Sequence, residues 1–283
     1  MNLEALRAHQ FPTQRVRYDE QDVIRYALSV GAGSDPLDAR ALRLVYEKDL
    51  LVLPTLAAVL AQAGSWIAAP EFAVNWLQLL HGEQNLSVHR PLPPAAQLMA
   101  SYRVPAVVDK GAGRGALVYC EQLLHDAASG EALCTVSSTL FLRGDGGCGS
   151  YGTPPAGLPG AATGPVEFSD QLTTSRHAAL LYRLNGDRNP IHVDPAAAAS
   201  AGFARPILHG LCTYGIAGYL LIRSLCNHDP TRLRSLGVRF SSPVYPGETV
   251  RIEGCRSDAG VQFQASVPER KQLVLTHGLA TLA

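Results

Sequence analysis

A short polar segment carries the residues of this sequence that best suit acid–base chemistry. Asp187, Asn189 and His192 lie within six residues of one another. A carboxylate, a carboxamide and an imidazole at this spacing can meet at one water molecule, where one group accepts a proton and another delivers one elsewhere. A simpler explanation also fits, because Asp and Asn in turns often bond their own backbone and a single histidine is often only a satisfied polar group.

The residues around this segment predict a loop held between two helices. Asn185, Gly186 and Asp187 are typical of a turn, and Pro190 forces the residue before it into extended backbone. Asp194 and Pro195 then suit the N-cap and the first position of a short helix that Gly202 ends. We therefore expect the loop to span residues 185–192.

A glycine near the start of an apolar helix offers a second chemical element. The stretch Ile207–Leu225 predicts a long buried helix, with Gly210 near its amino end. Backbone N–H groups there lack partners within the helix, and the helix dipole favours negative charge. Gly210 could therefore stabilise an oxyanion, because it has no side chain to keep a ligand carbonyl away. Alternatively, Gly210 only permits tight helix packing.

Composition narrows the class of protein. The 283 residues are 47% hydrophobic and 17% charged, with 24 basic and 24 acidic side chains, so the chain can fold and lacks the basic excess of nucleic-acid or membrane-surface proteins. The six cysteines form no C-x-x-C pair, which predicts reduced thiols and no metal site. The first twenty residues lack an apolar run and the sequence ends in ATLA, which is no peroxisomal address, so we expect a cytoplasmic protein without membrane spans.

The chain divides at a segment rich in glycine and proline. Residues 144–165 hold eight Gly and four Pro and predict a linker between residues 1–143 and 166–283, each with a modest core. Each half has an apolar stretch that predicts a helix, at Leu53–Ala69 and Ile207–Leu225, followed by three alternating strands. The shared order indicates an α+β fold with sheet on helix and an old duplication, although two unrelated α+β domains would also fit.

The loop and the helix start together resemble a known motif. The runs YRLNGDRNPIH (182–192) and GFARPILHGLCTYG (202–215) resemble the hydratase 2 motif of MaoC-like (R)-specific 2-enoyl-CoA hydratases. Further stretches resemble the two-part hydratase unit of peroxisomal multifunctional enzymes, and together they cover nearly the whole chain except the linker: SVGAG (29–33), VYE (45–47), LPT (53–55), LHGEQ (80–84), KG (110–111) and PVYPG (243–247). Asn185 departs from the motif, which commonly has a small residue such as Ser there.

The resemblance implies a double hot-dog fold, in which two antiparallel sheets each wrap round a central helix and form a pseudo-dimer within one chain. Only the second half keeps the G-D-x-N-P-x-H loop, so the resemblance implies one active site, with the first half accommodating the acyl chain. It further implies that trans-2-enoyl-CoA is hydrated to (3R)-3-hydroxyacyl-CoA in fatty-acid metabolism. Coenzyme A belongs to the substrate, so no separate cofactor is expected, and a homodimer is possible.

Residue roles follow from the same resemblance. Asp187 and His192 would share proton transfer, Asn189 would orient the water or the pair, and the Gly210 N–H would hold the thioester oxygen. Glu47 and Gly186 are expected to support the site. Basic side chains are expected to bind the substrate: Lys110, Arg188, Arg205 and His209. We expect His81 and Glu83 to form a buried hydrogen-bonded pair in the non-catalytic half.

Three other functions remain open at this stage. A hot-dog acyl-CoA thioesterase would use the same ligand but break the thioester, and a 3-hydroxyacyl dehydratase would take its substrate on acyl carrier protein. A non-catalytic acyl-CoA binding module would bind without conversion. The complete Asp187, Asn189 and His192 set favours the hydratase over all three.

Overall fold

The strands form one antiparallel sheet of ten. The computed structural model describes residues 1–283 except 61, 63, 65, 162 and 163. The spatial order is β1-β3-β4-β5-β2-β7-β10-β9-β8-β6. The strand bounds are Gln14–Tyr18 (β1), Leu79–Val88 (β2), Ala96–Asp109 (β3), Ala116–Asp126 (β4), Ala132–Leu142 (β5), Phe168–Thr173 (β6), Leu233–Phe240 (β7), Thr249–Ser257 (β8), Gly260–Val267 (β9) and Gln272–Leu282 (β10).

The two halves of the sheet repeat one strand order. The first half runs β1-β3-β4-β5-β2 and the second runs β6-β8-β9-β10-β7. The predicted three-stranded meanders are present as β3–β5 and β8–β10. The structure differs from the expectation of two sheets, because β2 and β7 pair with each other along five residue pairs from Glu83↔Arg239 to Ser87↔Ser235. Each strand would otherwise leave an open edge, and their pairing joins the halves into one sheet.

Six α-helices accompany the sheet in the described part of the chain, and the last of them is the longest. Their bounds are Leu3–Ala8 (α1), Glu20–Ser29 (α2), Ala39–Leu42 (α3), Ala178–Tyr182 (α4), Pro195–Ser200 (α5) and Gly210–Leu225 (α6). Helix α6 confirms the apolar helix predicted from the second half, and Asp194 caps α5 as expected. No helix in the described residues is long and apolar enough to cross a membrane.

The helix predicted at Leu53–Ala69 is wrong over the residues that the structure describes. Short 3₁₀ helices occupy Pro54–Ala58 and Trp66–Ala68 instead. Gly64 between them has a φ of +66°, and this left-handed backbone cannot continue a right-handed helix. Positions 61, 63 and 65 of the predicted helix lie outside the described residues. The first half therefore has no long central helix of its own among its described residues.

One hydrophobic core serves both halves, in place of the two modest cores that we expected. It extends from Tyr18 and Val23 in the first half to Val274 and Ala280 in the second. Helix α6 lies within it, and every residue from Cys212 to Ile222 is buried, so this part of the helix is surrounded on all sides. A second, smaller cluster beneath α1 includes Leu6, Phe72 and Val118.

Two glycines let the first half approach the α6 backbone. A Cβ atom at Gly215 would lie 2.6 Å from Val30 Cγ1 and 2.7 Å from Tyr26 Oη, and one at Gly218 would lie 2.8 Å from Thr55 Cγ2. These distances are shorter than van der Waals contact. Helix α2 and the 3₁₀ helix at Pro54–Ala58 therefore cover α6 at a distance that only glycine allows.

The predicted linker is fastened to both halves. The Asp109 carboxylate accepts the N–H groups of Gly147 and Gly149, both at 2.8 Å. Leu158 then reaches β7, where a Cβ at Gly237 would lie 2.6 Å from its Cδ2 atom. Because Gly237 alternates with core residues of β7, this contact lies on the outer face of the sheet. Positions 162 and 163 of the linker lie outside the described residues.

We expect Gly215→Ala to destabilise the protein. Alanine favours a helix over glycine by ~1 kcal/mol, but the added methyl group would meet the buried Val30 and Tyr26, and such overpacking costs about 1–3 kcal/mol. Urea unfolding measures the change in the free energy of unfolding. The exposed Ser224→Ala on the same helix is the matched control and should change stability little. A Gly215→Ala protein more stable than the wild type would contradict this packing.

Candidate active site

The proposed catalytic loop is shaped by its own polar side chains. A 3₁₀ turn at Arg183–Asn185 ends on Gly186, whose φ of +118° suits glycine. The Asp187 Oδ1 atom then accepts the Asn189 N–H at 3.0 Å, and the Asn189 Oδ1 atom accepts the Ile191 N–H at 3.2 Å. Local backbone bonding therefore occupies one oxygen of each side chain, which leaves Asp187 Oδ2 and the Asn189 amide group available.

Asn185 ties this loop to the first half of the chain. Its Nδ2 donates to Ser29 Oγ at the end of α2, at 2.9 Å, and to the Tyr182 carbonyl at 3.0 Å. The departure from the motif at this position therefore has a structural use, since the longer side chain reaches a partner 156 residues away in sequence.

His192 faces Asp187 with an unprotonated nitrogen. Its ring is buried, with 7% exposure, and Nδ1 donates to the Ile207 carbonyl at 2.9 Å. That bond places the proton on Nδ1, so Nε2 presents a lone pair 3.9 Å from Asp187 Oδ2. Burial lowers the pKa of His192, against the smaller raising effects of the Ile207 carbonyl and of Asp187. The neutral ring and the carboxylate thus offer two acceptors side by side.

His209 joins this pair from the residue before α6. Its Nε2 donates to the Asp187 backbone carbonyl at 3.2 Å, and its ring stacks on the His192 ring with centroids 3.7 Å apart and planes at 23°. Burial, reinforced by the neighbouring His192, lowers the pKa of His209 to about 4. At 1% exposure the ring has almost no surface for a ligand, so the structure gives no support to the substrate contact that the sequence predicted for it.

Asp187, His192 and His209 also offer three donor atoms within 4.8 Å of one another. A metal ion needs each imidazole lone pair to point at it from about 2.1 Å. The lone pairs lie in the ring planes, and two stacked rings 3.7 Å apart hold those planes nearly parallel. As arranged, the rings cannot both aim at one ion, so we identify none of the three residues as a metal ligand. The expectation of no metal stays a prediction.

Gly210 is the first residue of α6 and is solvent-exposed. The His209 carbonyl accepts the N–H groups of Cys212 and Thr213, whereas no acceptor in the described chain takes the Gly210 N–H. The His209 side chain does not cap the helix either. The predicted N–H donor of Gly210 therefore has no acceptor within the described chain. The Phe240 ring lies beside this residue, 3.4 Å from the position that a Cβ atom of Gly210 would take.

The first half contributes a histidine to this neighbourhood. The side chains of the expected His81–Glu83 pair do not meet, because the Glu83 carboxylate binds Arg239 of β7 at 2.7 Å. His81 bonds the Glu83 backbone instead, and its ring packs 4.9 Å from the Phe240 ring. Desolvation lowers the pKa of His81 to about 4, partly opposed by hydrogen bonds with the Glu83 backbone and the Gln84 side chain and, least, by the charge of Asp187. The His81 Nε2 atom has no partner. Sequence alone does not reveal this proximity, because it depends on the β2–β7 pairing.

The remaining predicted residues lie at the surface. Lys110 and Arg188 are exposed, and Arg205 stacks on Tyr245 at 4.9 Å. Glu47 lies in an exposed turn. No hydrogen bond or ion pair in the described part of the chain joins these four residues to Asp187 or His192, so their roles stay predictions.

The half-buried His81 should make stability depend on pH. Its pKa is about 4 in the folded protein against an ordinary 6.5, so between these values the unfolded chain binds the extra proton. The free energy of unfolding should therefore fall as pH drops from 6.5 towards 4. We expect His81→Phe to lose less stability than the wild type over this window in urea titrations. Titrations at pH ~7.5, where neutral histidine predominates, give the packing cost separately. Equal losses in both proteins would refute the assignment.

Comparisons with known proteins match both halves of the chain. The family described as "MFE-2 hydratase 2 N-terminal domain" matches residues 16–144, and "MaoC like domain" matches residues 159–282. The chain is 39% identical to a peroxisomal enoyl-CoA hydratase 2 of Arabidopsis thaliana, over 97% of this chain and 93% of the relative. A MaoC-like dehydratase of Phytophthora capsici superposes with a TM-score of 0.88 at 31% identity, over 100% of this chain and 99% of that one.

A more distant structure identifies the fold. A Mycobacterium tuberculosis protein described as a double hot-dog fold superposes with a TM-score of 0.60 at 17% identity, over 97% of this chain and 96% of that one. The second half holds the Asp187–His192 loop and the unbonded Gly210 N–H, and the matches cover the first half as well. The chain belongs to the enoyl-CoA hydratase 2 family of MaoC-like proteins, whose hydratase 2 N-terminal domain precedes a MaoC-like domain.

Proposed function

We propose that this protein is an (R)-specific 2-enoyl-CoA hydratase, which adds water to trans-2-enoyl-CoA to give (3R)-3-hydroxyacyl-CoA. One observation carries the proposal beyond the family assignment. Two acceptor atoms, Asp187 Oδ2 and His192 Nε2, face each other at 3.9 Å. The His209 ring stacks on His192, and the next residue, Gly210, has a helix N–H without an acceptor.

The spacing of the two acceptors suits one water molecule. A water ~2.8 Å from each atom could donate one O–H to Asp187 Oδ2 and the other to His192 Nε2, at an angle of about 90°. Both protons would then point into the enzyme and a lone pair on the water oxygen would point outward. That lone pair forms the new bond to C3 while either acceptor takes the proton.

The Gly210 N–H would stabilise the charge that this attack creates. As the C3–O bond forms, the double-bond electrons move towards the thioester oxygen, which becomes enolate-like. A fixed N–H at the positive end of α6 favours this developing charge over the neutral thioester, which is the requirement for catalysis. The Asp187–His192 pair then returns a proton to C2, and the enzyme is restored. The Asn189 amide group is available to orient the water.

The first half would accommodate the acyl chain. A cavity of about 100 Å³ lies beside Asn185, two residues before Asp187. Its other lining residues are three apolar ones, Leu56, Val59 and Leu60, and four charged or polar ones, Arg17, Tyr18, Asp22 and Arg25. Arg188, Arg205 and Lys110 are proposed contacts for the phosphates of coenzyme A. Glu47 keeps a proposed supporting role.

We further propose that the halves are two hot-dog units, bounded at residues 143 and 166, with only the second unit catalytic. A cytoplasmic location and a homodimer remain predictions. The Arabidopsis relative carries "peroxisomal" in its name, which describes that protein.

The activity is tested with crotonyl-CoA and longer 2-enoyl-CoA substrates. Hydration removes the absorbance of the conjugated enone without releasing thiol, and a dehydrogenase that accepts only the (3R) alcohol should consume the product. Release of free thiol would indicate a thioesterase. Binding without conversion would indicate a binding module, and a strong preference for carrier-protein substrates would indicate a dehydratase of that class.

We expect Asp187→Asn and His192→Gln each to lower kcat by about 10²–10⁴-fold, the usual contribution of general acid–base catalysis, without unfolding the chain. Asp194→Asn is the matched control, because asparagine caps a helix as well as aspartate does and Asp194 caps α5. Its kcat should equal that of the wild type. A folded Asp187→Asn protein with full activity would remove Asp187 from the mechanism.

A further inference from the structure

The histidine before α6 occupies a position that normally serves to cap a helix. Ser, Thr, Asp or Asn at this position bonds the first free N–H groups. His209 makes no such bond, and its Nε2 donates to the Asp187 carbonyl instead. Its side chain therefore leaves the Gly210 N–H unoccupied and points back towards the loop.

Three contacts of His209 meet the three parts of the proposed site. The Nε2–O bond of 3.2 Å holds the backbone of Asp187, and the 3.7 Å stack covers one face of the His192 ring. The third is covalent, because the residue after His209 is Gly210. The ring is also 99% buried, since its exposure is 1%, and it packs 4.9 Å from the Tyr182 ring of α4. A displacement of His209 would therefore move all three parts relative to one another.

We propose that His209 is a positioning residue of the hydratase, which holds the Asp187–His192 pair in a fixed place relative to the Gly210 N–H. This inference rests on the proposed function. It replaces the substrate contact that the sequence predicted for His209 and assigns the ring no direct part in proton transfer.

The charge state of His209 agrees with such a role. The groups that face it are Asp187 and His192 from the loop, and Tyr182 and Arg183 from α4 and the turn after it. Burial and the neighbouring His192 lower the pKa of His209 to about 4, so its ring is neutral at neutral pH. A neutral ring can stack on a protonated or an unprotonated His192 without repelling it. It also keeps water from that face of His192.

Three substitutions separate the hydrogen bond from the stack. His209→Phe keeps an aromatic ring and loses the donor, His209→Gln keeps an N–H donor and loses the ring, and His209→Ala loses both. We expect His209→Phe to lower kcat by about 10–100-fold with KM changed less than about threefold, because misplacement of about 1 Å can cost 10²-fold. His209→Gln should recover most of the lost kcat.

The pKa of His192, followed by NMR, gives a readout that does not depend on activity. In His209→Ala water would reach the exposed face and stabilise the charged ring, so the pKa of His192 should rise towards its usual 6.5. In His209→Phe the ring remains covered and the pKa should stay lowered. Unfolding measurements establish that each variant is folded under the assay conditions.

His228 supplies a matched control at the other end of α6. It is also buried, at 5% exposure, and its Nε2 lies 3.5 Å from an Asp38 carboxylate oxygen. His228→Phe should reduce stability and leave kcat per folded molecule unchanged. A folded His209→Phe protein with wild-type kcat would overturn the proposal, as would a raised KM with unchanged kcat. An unchanged His192 pKa in His209→Ala would also overturn it. Wild-type protein without hydratase activity would instead overturn the proposed function.

Discussion

The burial of α6 is the constraint on which the rest of the structure depends. A helix that is apolar on every side cannot lie on a surface, so it needs partners all round. The sheet of the second half provides one side, and the first half covers the other with α2 and the turn at Pro54–Ala58. Gly215 and Gly218 set how closely this cover approaches. One helix thus holds together two halves that would otherwise each need a centre of their own.

This burial also determines the chemistry at the amino end of the helix. The chain enters α6 through Leu208, whose N–H donates to the Val244 carbonyl at 2.7 Å, and the Ile207 carbonyl holds His192. The helix start and the imidazole are therefore fixed by adjacent residues of one segment. Desolvation lowers the pKa values of the buried His192 and His209 and of the half-buried His81, which favours the neutral form of all three rings. A neutral His192 gives the site a second proton acceptor beside the Asp187 carboxylate.

Local features of this fold were readable from the sequence, and long-range ones were not. The loop at 185–192, the Asp194 cap, α6 and both meanders follow from turn residues, capping and alternation, all of which act over a few residues. The failed helix at Leu53–Ala69 shows the limit, because its apolar side chains suit burial in any conformation and the backbone at Gly64 decides the outcome. The place of His81 beside the site depends on β2 meeting β7, which no local pattern encodes. Residue type and position suggested acid–base chemistry for Asp187, Asn189 and His192 and an oxyanion donor at Gly210, the resemblance gave each residue its specific role, and the structure adds the distances between the groups.

The continuous β2–β7 ladder has a consequence for how a ligand enters and leaves. Two domains joined only by a flexible linker can separate by a hinge motion. Here the two halves share five residue pairs and one core. Leu158 of the connecting segment also contacts the outer face of the sheet beside the β2–β7 ladder. Opening of that kind would require breaking the sheet. We therefore expect substrate and product to reach and leave the buried imidazoles through small movements of surface loops and side chains, which are faster than domain motions.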